Sequence, residues 1–121
     1  MTRDEVRALI LSFPGAHDAV SYGEPSFHVE GKFLTWFWPR AETDSLVIHL
    51  DTLDERDLLL EMEPRTLFTT DHHRNHPMVL ARIETVDPAW LAARLARRWR
   101  KVAPKRLSRA HPALPGEAGV A

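Results

Sequence analysis

The residues best suited to chemistry lie in the last third of the chain. Between Pro88 and Val102, at about 100° per residue, Trp90, Arg94, Arg97 and Lys101 share one helical face while Leu91, Leu95, Trp99 and Val102 share another. An aromatic in line with three cations, continued by Lys105, Arg106 and Arg109, makes a positive strip that tracks phosphates and offers an indole to stack on a base. The activity implied is weak, salt-sensitive, sequence-independent DNA binding, carried by Trp90, Arg94, Arg97, Lys101, Lys105 and Arg106. A plainer account of the same residues is a solvated face that complements the helix dipole, with Trp90 in the core or under a cation.

A second group is Asp71-His72-His73-Arg74-Asn75-His76-Pro77. Imidazole and carboxylate suit zinc, copper or nickel, and the His72 to His76 spacing puts two ligands on one face of a helix. Asn75 and Pro77 argue instead for an exposed polar loop, and there is no HExxH arrangement. His72, His73 and His76 are therefore candidates only, and neither a metal nor a cofactor is assigned. Ser21, Ser26, Ser45 and Ser108 occupy no GxSxG setting that would anchor a triad with His28 or His49. Asp54, Glu55 and Asp57 stand at a helix start, where the dipole accounts for negative charge. Nothing requires catalysis, and a non-enzyme is expected.

A third group is the aromatic stretch Ser21 to Trp38. If Tyr22, Phe27, Trp36 and Trp38 are not all consumed by a core, an uncovered sheet face would serve as a recognition surface for a protein or small ligand, or as a dimer seam. This is the alternative to DNA binding.

The elements that must position these groups follow from patterning. The 121 residues suffice for one domain with a real core, and the absence of cysteine excludes disulfides and thiolate chemistry. A soluble, cytoplasmic protein is expected, since no apolar run approaches a membrane span. Net charge is −1 but lopsided: Met1 to Asp87 holds 8 Lys and Arg against 16 Asp and Glu, while Pro88 to Ala121 holds 8 against Glu117 alone. One explanation is a basic helix docked on an acidic body.

Thr2 and Glu5 form a capping box for a helix from about Arg3 to Ser12, with Val6, Leu9, Ile10 and Phe13 on its apolar face. His17 to Tyr22 reads as a connection, at most briefly extended. Phe27 and Val29 alternate with His28 and Glu30, Gly31 supplies the turn, and Phe33 to Trp38 reads as an interior strand covered on both sides. Ser45 to Leu50 alternates again. Thr52 and Glu55 cap a helix that stops at Pro64. Leu67 to Thr69 and Met78 to Ile83 are strands, and Asp87 with Pro88 opens the last helix. The result is a single α+β domain over residues 1–107, its antiparallel sheet packed against helices. Residues 108–121, aperiodic from His111 onward, are expected to be a flexible tail.

The segments FPGAHDAVSYGEPSFHVEGKF, LFTTDHHRNHPMVLARIETVD and WRKVAPKRL, in this order and spacing, resemble the MmcQ/YjbR family. The likeness runs from the first helix to about Leu107. It implies an α-β(3)-α-β(2)-α domain related in shape to the frataxin-like and secretion-chaperone-like folds, in a family whose members are labelled DNA-binding. It implies no catalytic set. On the matched positions, Pro14, Gly15, Gly23 and Gly31 look like turn residues, Lys32 and Phe33 like a strand entry, and Trp99 like a packing residue. The chain departs from the family pattern at His73 to His76, where an aromatic and a glycine are often found. The expected partner is DNA without sequence preference, with a protein partner or homodimer as the alternative and no membrane.

Overall fold

The computed structural model describes residues 1–117. Helix α1 (Arg3–Leu11) starts with the expected capping box: Thr2 Oγ1 accepts from the Glu5 amide and the Glu5 carboxylate accepts from the Thr2 amide. Three strands follow as a meander, β1 (Ala16–Ser21), β2 (Glu24–Val29) and β3 (Lys32–Thr35). Strand β4 (Ser45–His49) belongs to a second antiparallel sheet of order β4-β6-β5, completed by β5 (Leu67–Phe68) and β6 (Met78–Arg82). Helix α2 (Leu53–Met62) precedes β5, and α3 (Pro88–Val102) and α4 (Lys105–Ala110) close the chain.

The α+β class and the antiparallel pairing agree with the sequence, but the strands form two sheets where one was expected, and three further details differ. The stretch read as a connection is a full strand, β1, paired with β2 from Ala16 opposite Val29 to Ser21 opposite Glu24. Its polar side chains hid it. The run Phe33 to Trp38 is not one strand but breaks after Thr35, where the partner strand shifts register between Phe27 and His28 and Thr35 Oγ1 donates to the Val47 carbonyl at 2.7 Å. Leu34 and Phe37, three apart, therefore both enter the core, while Phe33, Trp36 and Trp38 touch one another on the other side. Past the break the chain still links the two sheets, since the Trp38 amide donates to Ser45 at 2.9 Å and the Val47 amide donates to Trp36 at 3.1 Å.

The third difference is at the C-terminus. The segment expected to be a flexible tail from residue 108 completes α4 and then folds back on α3, with Leu114 only 5% exposed. Arg100 holds it, donating to Glu117 at 2.6 and 3.0 Å and to the carbonyls of Ser108 and His111 at 2.9 and 2.7 Å. Residues 118–121, the rest of that expected tail, lie outside the described residues. Gly116 makes the return possible. Its φ is +79°, and a Cβ there would lie 2.3 Å from the Ala92 carbonyl carbon. Gly116→Ala is expected to free residues 111–117 and leave the rest folded. Amide exchange at Leu114 and Glu117 should rise, and the melting temperature should fall by on the order of 5 °C; unchanged exchange would contradict this packing.

The main core lies between the helices and the inner sheet faces and includes Val6, Ile10, Leu34, Leu46, Ile48, Leu91, Leu95 and Trp99. A smaller cluster on the outer face sets Trp38 over Val47 and Leu80. Among the described residues no helix is long and apolar enough to cross a membrane.

Candidate ligand-binding face

The structure brings the expected basic strip together but does not leave it free. Arg94 pairs with Glu55 at 3.3 Å, Arg97 pairs with Asp51 and, at 3.7 Å, with Glu55, and Lys101 pairs with Asp51. Asp51, just before α2, and Glu55, in its first turn, dock against α3 and pair with its cations, although Arg97 and Lys101 remain about half-exposed. Trp90 is half-buried beneath the Arg94 guanidinium, 5.3 Å from its ring centre, and packs against the core. Arg106 pairs with Glu30, whereas Lys105 is exposed and makes no ion pair among the described residues. Arg98 turns inward and donates to the carbonyls of Phe33 and Leu34 at 2.9 and 3.0 Å. Four of the eight cations after Asp87, namely Arg94, Arg97, Lys101 and Arg106, thus dock on the acidic body.

The outer face has a different character. Its rings run in unbroken contact: His17 to His28 at 6.0 Å, His28 to Phe33 at 5.8 Å, Phe33 to Trp36 at 5.9 Å, and Trp36 to Trp38 at 5.7 Å. Trp38 then meets His72 at 4.9 Å and His73 at 4.6 Å. Tyr22 branches from Trp36 at 6.1 Å and His49 from Phe33 at 6.0 Å. Two open grooves flank the Tyr22, Trp36 and His72 rings. One, of about 470 Å3, includes Glu24, Trp38 and Arg40; the other, of about 240 Å3, includes Phe33, His49, His76 and Met78. The rings favour flat, polarisable ligands through offset or edge contacts.

Tyr22 is the least expected member. It is 93% exposed, and its φ is +53°, followed by Gly23 at +76°. A two-residue hairpin turn of this kind needs positive φ at both positions, which Asn and Gly adopt far more readily than an aromatic. The β1–β2 turn thus holds a phenol ring over Trp36 at a local conformational cost.

The histidine loop contributes to this face rather than to a convergent metal site, and among the described residues no group of three or more His, Asp and Glu is arranged to hold a metal ion. His72 and His76 are exposed, but His73, expected in an exposed loop, is buried against Trp38, and Thr70 Oγ1 lies 2.7 Å from its Nδ1. Burial, then the neighbouring His72 and His76, pushes His73 down to about 4. His49 is driven to about 3, chiefly by burial, then by Arg98 and His73, and its Nδ1 has no hydrogen-bond partner among the described residues. Both rings are neutral at neutral pH. Asp71 is paired with Arg74. Ser21 Oγ lies 3.1 Å from His28 Nε2 and 3.0 Å from Ser26 Oγ, yet among the described residues no carboxylate is bonded to His28 to complete a triad.

Of the aromatic residues singled out in the sequence, Tyr22, Trp36 and Trp38 lie on this face, but Phe27 belongs to the core, 5% exposed and edge-on to Phe37. Sequence reasoning missed His17, His28, Phe33, His49, His72 and His73 as its other members. Strand alternation of His49 against Ile48 was one available signal; the loop histidines gave none.

A family profile described as YjbR matches residues 11–101, about three quarters of the chain. No curated protein and no solved structure matches it.

Proposed function

The chain belongs to the YjbR family, and we propose that it works as a binding module whose outer aromatic and imidazole face holds a flat, unsaturated small molecule. The observation that carries this reading is Tyr22, an almost fully exposed ring kept at positive φ above Trp36 between two grooves. Backbone strain of this type costs about 1–3 kcal/mol and concentrates at ligand clamps. A fold optimised for stability alone would place Asn or Gly there. A protein partner, or a second copy of the chain, would use the same rings.

The test separates binding from folding. Tyr22→Asn relieves the strain and removes the ring, so its melting temperature should equal or exceed that of the parent. Its affinity for the fluorescent probe 8-anilinonaphthalene-1-sulfonate should fall about tenfold, in line with about 1–3 kcal/mol per stacked ring. Unchanged affinity in a folded Tyr22→Asn variant would remove this face as the site.

Weak, salt-sensitive DNA binding through α3 and α4 is the second reading. It is favoured by Lys105 and Arg109, exposed and without ion pairs among the described residues, and by the chemistry of Trp90 beside Arg94. Asp51, Glu55 and Glu30 oppose it by pairing with Arg94, Arg97, Lys101 and Arg106. Affinity for a DNA duplex that does not fall as salt rises would exclude it.

A further inference from the structure

A second concave surface shares no residue with the aromatic face. It is a groove of about 410 Å3 between α2, β5 and the start of α3, walled by Leu59, Met62, Leu67, Val86 and Trp90, and its charged residues are Glu63 and Asp87. Helix α2 has only Leu59 fully buried. Leu58 and Met62, one turn apart, are 56% and 63% exposed, and Met62 forms part of the groove.

The charge beside this apolar stripe is not explained by the fold. Glu61 lies in the last turn of α2 and Glu63 at its C-cap, where the helix dipole disfavours anions, and no basic residue occupies that turn. Neither Glu61, Glu63 nor Asp87 is paired with a cation among the described residues, although Arg65 is close in sequence. Asp87 is otherwise occupied in capping α3 through the Trp90 amide at 2.9 Å.

We infer that this groove receives a cationic amphipathic helix from another protein. Apolar side chains spaced three or four residues apart would enter between Met62 and Trp90, and Lys or Arg on the flank of that helix would meet Glu61 and Glu63. A second copy of this chain is a poorer occupant. Its one long amphipathic basic helix, α3, already buries Leu91, Leu95 and Trp99 and pairs its cations with Asp51 and Glu55.

The probe is a synthetic amphipathic helix of leucines and lysines, set against the same peptide with glutamates for lysines, and binding to the whole chain is read from the indole resonances. The lysine peptide should move Trp90, leave Trp36 in place, and bind about tenfold more tightly than the glutamate peptide. Glu61→Gln with Glu63→Gln, both at exposed positions, should abolish that preference, and Met62→Ser should weaken both peptides. Equal affinity for the two peptides, no binding, or binding that leaves Trp90 unmoved would overturn the inference. Self-association abolished by Met62→Ser would also overturn it, by making a second copy the occupant.

Discussion

Trp99→Ala is expected to cost about 3–5 kcal/mol of unfolding free energy, enough to consume much of the roughly 5–15 kcal/mol typical of a domain. Trp99 is 0% exposed and is among the largest fully buried side chains. Its Nε1–H donates to the Pro14 carbonyl at 2.8 Å across 85 residues of sequence, fastening α3 to the turn after α1. Alanine would leave both a void and a part-buried carbonyl without this donor. Trp99→Phe keeps most of the ring and should cost much less, about 1–2 kcal/mol for the lost hydrogen bond and small volume change. Urea denaturation of the two variants checks the order; equal and small losses would mean that α3 is not fastened through this residue.

Acid is expected to destabilise the protein well above the usual carboxylate range. His49 and His73 are held at about 3 and about 4 in the folded chain, against about 6.5 in an unfolded one. Their folded values are depressed, so their contribution is full above pH 6.5 and is lost as pH falls toward 4, because the unfolded state takes up protons first. With both rings involved the slope approaches about 2.7 kcal/mol per pH unit. The charged and titratable neighbours are Arg98 and His73 for His49, and His72 and His76 for His73, and all of them disfavour a further positive charge. His49→Phe keeps a ring against Phe33 and cannot titrate, so it should flatten the fall. It should also be near neutral at pH 7, since the Nδ1 it removes has no partner among the described residues. Denaturation at pH 7 and pH 5 measures this, and equal stability at both would contradict the burial of these two histidines.

Most of the fold was legible where local chemistry and packing coincide. The Thr2 and Asp87 caps, the alternation of Leu46, Ile48 and Leu50 against Val47 and His49, and the apolar face of α3 all mark the elements they form. Strand β1 was not legible, because AHDAVS has neither an apolar alternation nor a buried residue, and it exists through its pairing with β2. The return of residues 111–117 depends on Arg100 meeting Glu117 and on one glycine fitting against Ala92, contacts that leave no periodic trace.

The site was half legible for the same reason. Trp36 and Trp38 announce an aromatic segment, but the packing of His72 and His73 onto Trp38 joins a loop to that segment from more than thirty residues away. The basic strip reads plainly as a face of α3. Its neutralisation by Asp51 and Glu55 is a tertiary contact that the charge counts hinted at and spacing did not reveal.

The four tryptophans report separately on the surfaces at issue: Trp36 and Trp38 on the outer face, Trp90 on α3 and Trp99 in the core. The most direct test is to follow their indole N–H resonances while 8-anilinonaphthalene-1-sulfonate and, separately, a DNA duplex are titrated into the protein. If the outer face is the working surface, the planar probe moves Trp36 and Trp38 saturably and leaves Trp90 and Trp99 where they were. Movement of Trp90 on adding DNA, with Trp36 and Trp38 indifferent to both additions, would contradict that claim and return the function to the basic helix.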